Sequence, residues 1–89
     1  DLIGANMIGT DLTAADMTGA DLTSANLTDA DLTGANVTGA SLIAAYLGGA
    51  DLFSANLTCA KLNGADLNGA KHNQNTIWPS GFNKSRLSS

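Results

Sequence analysis

Glutamate is absent from this 89-residue chain, and residues 1–60 contain neither Lys nor Arg. A stretch with seven Asp and no cation cannot grip nucleic-acid phosphates, and the four basic residues Lys61, Lys71, Lys84 and Arg86 are too sparse to reverse that. Direct nucleic-acid binding is therefore not expected. Cys59 is the single cysteine, so an intrachain disulfide and a Cys-rich metal site are both excluded. His72 is the single histidine, and with no Glu beside it no zinc or catalytic constellation is visible. Only four residues are aromatic, so a core must be built from Leu and Ala. No apolar run approaches the roughly 20 residues of a membrane helix. No basic segment leads into an apolar one, so no signal peptide is visible. The chain starts within a repeat and without Met, as expected of a processed protein or an excised domain.

What the chain has is repetition. Fourteen five-residue units of the form Ala-(Asp/Asn)-Leu-x-x run from Asp1 to Ala70. Every fifth position from Leu2 to Leu67 is apolar: eleven are Leu, and the others are Met7, Met17 and Val37. The small position is Ala in thirteen of fourteen units, Thr10 being the exception, and the position before Leu is Asp or Asn in eleven. Self-similarity of this kind decides an architecture before local propensity does. One domain of stacked coils is expected, because a repeat array escapes the small core of a short globule.

Neither regular element accepts a period of five. On a helix, five residues advance 140° past a full turn, so the Leu positions spiral and bury no stripe. On a plain strand, a period-five residue changes face at each repeat. A corner in every repeat resolves the conflict. Three residues run extended, with Ala and Leu inward and Asp/Asn outward, and two residues turn. Gly fills the second turn position in eight units, as a positive φ demands. Thr fills the first in seven, which suits extended, half-exposed backbone.

The run ADLTSANLTDADLTGANVTGA, Ala20 to Ala40, closely resembles the pentapeptide-repeat proteins, and the resemblance extends over residues 1–70. It implies an all-β fold, a right-handed quadrilateral parallel β-helix with four pentapeptides per coil. Residues 1–70 then make about three and a half coils. Four faces give four core columns: Leu2, Leu22, Leu42, Leu62; Met7, Leu27, Leu47, Leu67; Leu12, Leu32, Leu52; and Met17, Val37, Leu57. Residues 71–89 break the pattern at His72 and are expected to form a cap and a loose tail. Ile77, Trp78 and Phe82 are the expected cap residues, around a Pro-Ser-Gly turn, and similar tails close many members of the family. Lys84 to Ser89 is expected to be loose.

Chemistry is sparse. Asp11, Asp31 and Asp51 should stack on one face, followed by Lys71, where neighbouring carboxylates raise one another's pKa or hold a cation, or simply solvate the wall. A straight column lacks the convergent cage that Ca²⁺ prefers. Ile3, Ile8, Ile43 and Phe53 occupy turn positions that should face solvent, and Tyr46 replaces an Asp or Asn. Ile43, Tyr46 and Phe53 belong to one coil and form the candidate interaction surface, with Asp11, Asp31 and Asp51 as steering charges. Asp66 and His72 stand close enough in sequence to meet. Thr18, Thr38 and Thr58 form a rank, as do Thr13 and Thr33, but their neighbours Asp16, Asn36 and Asn56 spoil a flat ice-binding face.

The reading is a noncatalytic structural or protein-interaction module with no cofactor, no metal and no membrane contact. Its expected partner is another protein, with end-to-end or side-by-side self-association as a further expectation. The resemblance supplies an alternative, a DNA mimic that occupies a DNA-binding protein such as DNA gyrase. The family spans several compartments, among which the sequence does not choose.

Overall fold

The computed structural model describes residues 1–87. Each pentapeptide closes a turn in which the Ala N–H donates to the preceding Leu-position carbonyl, as in Ala35 to Leu32 at 2.9 Å, and all fourteen repeats do so. The second turn residue has positive φ in all fourteen, and the first in none, which is the type II pattern. Eight of these residues are Gly; the other six are Ala14, Ser24, Asp29, Ala44, Ser54 and Cys59, at φ 58 to 61°. A side chain there costs about 1–2 kcal/mol, so the coil holds its corners against a local preference.

Wall residues pair in parallel with the residue twenty positions on, from Asn6 with Asn26 to Asp51 with Lys71. Four pentapeptides therefore separate a residue from its ladder partner. The ladder is a set of single bridges and not the three-residue extended runs expected. The reason is the turn in every repeat, which leaves one pairing position between corners.

All five N–H groups of a regular repeat are accounted for. In the unit Ala25–Asp29 with its following Ala30, Asn26 N donates down to Ala5 O and Leu27 N donates up to Tyr46 O. Asp29 N donates up to Gly48 O, and Ala30 N closes the turn on Leu27 O. The remaining donor, Thr28 N, goes to Asn26 Oδ1 at 3.1 Å. The Asp or Asn is thus the acceptor for the one amide the ladder cannot reach. All eleven Asp and Asn of this position make that bond. Where Thr follows two residues on, its hydroxyl usually donates to the same oxygen, at 2.6 Å in the Thr33–Asp31 pair. Thr at the corner is therefore selected by a hydrogen bond, a stronger reason than strand propensity.

The core consists of the inward fifth positions and the Ala columns. Leu22, Leu42 and Leu62 are buried, as are Leu27, Leu47, Leu67, Leu32, Leu52, Val37 and Leu57. Each fully buried Leu contributes roughly 1.5–3 kcal/mol. The first coil departs from the expected columns. Leu2 is 38 % exposed, and Met7 and Leu12 are half-buried. Leu2 has Leu22 on one side and solvent on the other, so its column begins one coil higher.

The tail changes register. Ile77 pairs with Asn56, an offset of twenty-one, so one extra residue has entered the loop after Lys71. The slip places Thr76 in the inward Ala slot, buried, with Oγ1 donating to Leu52 O at 2.8 Å. It also places Ile77 in the outward slot, 50 % exposed. Ile77 is therefore a wall residue, contrary to its expected apolar capping role. Trp78 and Phe82 do pack on the core, stacked at 4.7 Å and 9°. Lys84–Arg86 forms a short 3-10 turn whose N-cap is Asn83. It is not loose: Arg86 Nη2 donates to Leu62 O and Ala65 O, both at 2.9 Å, and the guanidinium lies 5.4 Å from the Phe82 ring. The rest of the segment expected to be loose, Ser88 and Ser89, lies outside the described residues.

Candidate functional site

Among the described residues, recurring chemistry is concentrated on the wall between corners. Asp11, Asp31, Asp51 and Lys71 stand in one column by successive parallel bridges. Each carboxylate spends Oδ1 on the amide two residues ahead, at 3.0 Å for Thr13, Thr33 and Phe53. Hydrogen bonds from Thr13 hold the Asp11 carboxyl below the usual range, and those from Thr33 do the same for Asp31. Asp16 and Asp21 are lowered in the same way by Thr18 and Thr23. The repulsion of Asp31 on Asp11 is the weakest of the influences and loses to those bonds. Mutual raising of pKa within the column is therefore not what the local geometry produces. Among the described residues, no group of three His, Cys, Asp or Glu could hold a metal ion.

The apolar wall residues do not form one patch. Ile43 follows Leu42 and sits at the corner leading into the next face, where Tyr46 is the wall residue. Phe53 follows Leu52, two corners further round a four-cornered coil, and so lies diagonally opposite Ile43. Ile43 and Phe53 are each 36 % exposed and Tyr46 is 52 % exposed. Ile3 lies in the Ile43 column two coils below, with Thr23 between them. Ile8 is at the next corner, below Thr28.

Tyr46 alters more than the surface. Ser41, Tyr46 and Lys61 are the three wall positions without Asp or Asn. The amides two residues ahead, Ile43, Gly48 and Asn63, receive no bond from them. Two of these three positions flank Ile43.

His72 sits edge-on to Trp78 at 5.9 Å and makes no bond to Asp66 among the described residues. Cys59 is an exposed free thiol at a positive-φ corner. Arg86 was invisible as a structural residue in the sequence, because a single basic residue in a tail carries no periodic signal. The Asx–Thr coupling was visible, as Asp or Asn followed two residues later by Thr, in six of the seven Thr-bearing repeats bonded through the hydroxyl.

A twenty-residue parallel ladder with a corner in every pentapeptide meets a family description directly. The model for pentapeptide repeats matches residues 1–34 and 30–69, with eight copies. The chain belongs to the pentapeptide-repeat family. A pentapeptide-repeat protein from the Arabidopsis thaliana thylakoid lumen superposes with a TM-score of 0.75 at 32 % identity, over 89 % of this chain and 58 % of that one. The pentapeptide-repeat protein Rfr23 from the cyanobacterium Cyanothece 51142 gives 0.55 at 32 % identity, over 82 % of this chain and 56 % of that one. One from Nostoc Pcc 7120 gives 0.51 at 37 % identity, over 94 % of this chain and 78 % of that one. The chain thus spans just over half the length of the first two. No curated protein sequence matches it. As in these relatives, the pentapeptide repeats imply a right-handed quadrilateral β-helix, a solenoid. No enzyme family is indicated, and no helix among the described residues is long and apolar enough to cross a membrane.

Proposed function

We propose that this pentapeptide-repeat chain is a noncatalytic protein-interaction module whose contact corner is formed by Tyr46 and Ile43. The observation that carries the reading is local to Tyr46. Eleven of fourteen wall positions hold an Asp or Asn that binds the amide two residues ahead. Tyr46 gives up that bond, worth about 0.5–1.5 kcal/mol, and places a ring on a polar wall. A residue retained for folding would do neither. Ile43 stands one corner earlier and adds apolar area, and Asp11, Asp31 and Asp51 supply a field that steers a basic-rimmed partner. Phe53, on the opposite corner, serves a second contact or none. No cofactor enters this reading.

The same reading takes residues 1–70 as about three and a half coils, and residues 71–89 as the segment that caps them. Trp78, Phe82 and Arg86 carry the capping, with Ile77 completing the wall.

Cross-linked capture from the source extract tests the contact corner. The wild type should retain a partner that the double variant Ile43→Ser/Tyr46→Ser loses while its unfolding midpoint stays close to the parent's. Equal capture by both would sink the assignment.

The acidic wall supports a second reading, a stand-in for duplex DNA on a DNA-binding protein. Ionised Asp11, Asp16, Asp21 and Asp31 with no cation before Lys61 favour it. A longest dimension of 28 Å, about eight base pairs of duplex at 3.4 Å per step, weighs against it. Inhibition of gyrase supercoiling at low micromolar chain, abolished by Asp11→Asn/Asp31→Asn, is its expected signature.

A further inference from the structure

We propose that the cleft between the last coil and the returning tail binds a small ligand carrying an oxyanion, a carboxylate or a phosphate, beside an apolar group. The cleft is an open groove of about 390 Å³, within the roughly 300–1,000 Å³ range of small-molecule sites. Lys61 and Asn63 line it from the last coil, and Ser80, Phe82, Asn83 and Arg86 from the tail. Among the described residues, no carboxylate lines it. In a chain whose first sixty residues hold seven Asp and no Lys or Arg, Lys61 and Arg86 line this cleft with no acidic side chain among the described lining residues. An anion approaching the molecule is repelled by the wall and drawn to this end.

The two cations differ in what already explains them. Arg86 is held by two backbone carbonyls through Nη2 and lies over the Phe82 ring. Its place in the cap accounts for it, and its remaining guanidinium N–H groups take no protein partner among the described residues. That anchoring also means it need not be ordered when a ligand arrives, which lowers the cost of binding. Lys61 has no such account. It replaces an Asp or Asn, forgoes the amide bond those residues make, and forms no ion pair among the described residues. Its pull on the Asp21 carboxyl is the weakest of the influences acting there. A lysine that costs the wall a hydrogen bond and lines a cleft beside a fixed arginine fits anion recognition. The Phe82 ring, beside Pro79, offers the apolar floor.

The test is an amide NMR titration of the full chain at low ionic strength, with benzoate and inorganic phosphate as separate probes. Saturable shifts are expected at Asn63, Ser80, Gly81 and Asn83, with benzoate tighter than phosphate. Lys61→Gln should weaken benzoate roughly fivefold or more while leaving the unfolding midpoint in place, since Lys61 is exposed. Arg86→Lys, which keeps the charge but not the fork, should weaken it as well. Absence of saturation with either probe overturns the site, as does a Lys61→Gln titration that matches the parent. Benzoate binding no tighter than phosphate overturns the apolar half of the proposal.

Discussion

The body and the tail do the same work with different atoms. In residues 1–70 each coil bonds to the next through backbone N–H and C=O groups, and side chains only tend the corners. In the tail, side chains take over those positions at the same sequence offsets. Ser54 N would donate to a carbonyl nineteen residues on, and instead meets Asn73 Oδ1 at 3.1 Å, also nineteen residues on. Ala65 O would accept from the amide twenty-one residues on, and instead accepts from the Arg86 guanidinium, also twenty-one residues on. The tail has lost the repeat but keeps the spacing at these two bonds, while the backbone bonds of Ile77 run one residue late. At these two positions single-copy tail residues make the bonds that one more coil would make.

The largest expected effect separates packing from hydrogen bonding. Leu32→Asp places a carboxylate among buried Leu and Ala and should abolish cooperative folding, a loss above about 4 kcal/mol in denaturant unfolding. If the variant folds normally, the body does not depend on its apolar columns. Next comes the tail. Arg86→Ala removes two charge-assisted bonds to carbonyls and should cost about 1.5–3 kcal/mol, with hydrogen exchange accelerated in residues 60–70 and little changed near residue 30. Uniform acceleration along the chain would erase the distinction between body and end.

Acid should divide the two regions by sign. Asp11, Asp16, Asp21 and Asp31 have folded pKa values below their ordinary ones. Their contribution is present above the unfolded value, about 3.9, and is lost as pH falls through the lower folded values. Residues 71–89 contain no acidic side chain. Stability measured from pH 5 down to 2 should therefore fall, and replacing the four by Asn should flatten that slope. An unchanged slope would place the acid sensitivity elsewhere. The smallest effect concerns the six corners without Gly. Ala44→Gly relieves a positive φ of 59° and should stabilise by about 1 kcal/mol or less. A destabilisation would mean that the Ala44 methyl packs usefully at its corner.

The period, the buried fifth positions and the family were legible in the sequence because each rests on residue identity repeated many times. The twenty-residue register was not, since a period of five is silent about how many corners close a coil; it came from the resemblance. The acidic column was legible as a column, while its protonation behaviour was not. That depends on hydrogen bonds from Thr13 to Asp11 and from the Thr33 amide and hydroxyl to Asp31. Ile77, Trp78 and Phe82 looked alike as apolar tail residues. A one-residue slip after Lys71 turned Ile77 outward, and single insertions leave no mark on composition or periodicity. The proposed contact corner was half legible: Ile43, Tyr46 and Phe53 stood out as misfits, but their separation required the number of corners.

Because a regular pentapeptide consumes all five of its amide donors in the turn, the ladder and the Asp or Asn, the regular walls of this molecule have few amides left to offer. A foreign strand laid along a regular wall finds no row of free donors to join, so sheet-like sticking is disfavoured there however long the rod becomes. The open ladder edges lie at the two ends, and their number stays constant as coils are added. Length can then change freely while the hazard of aggregation does not, and any recognition along the sides must be written in side chains alone.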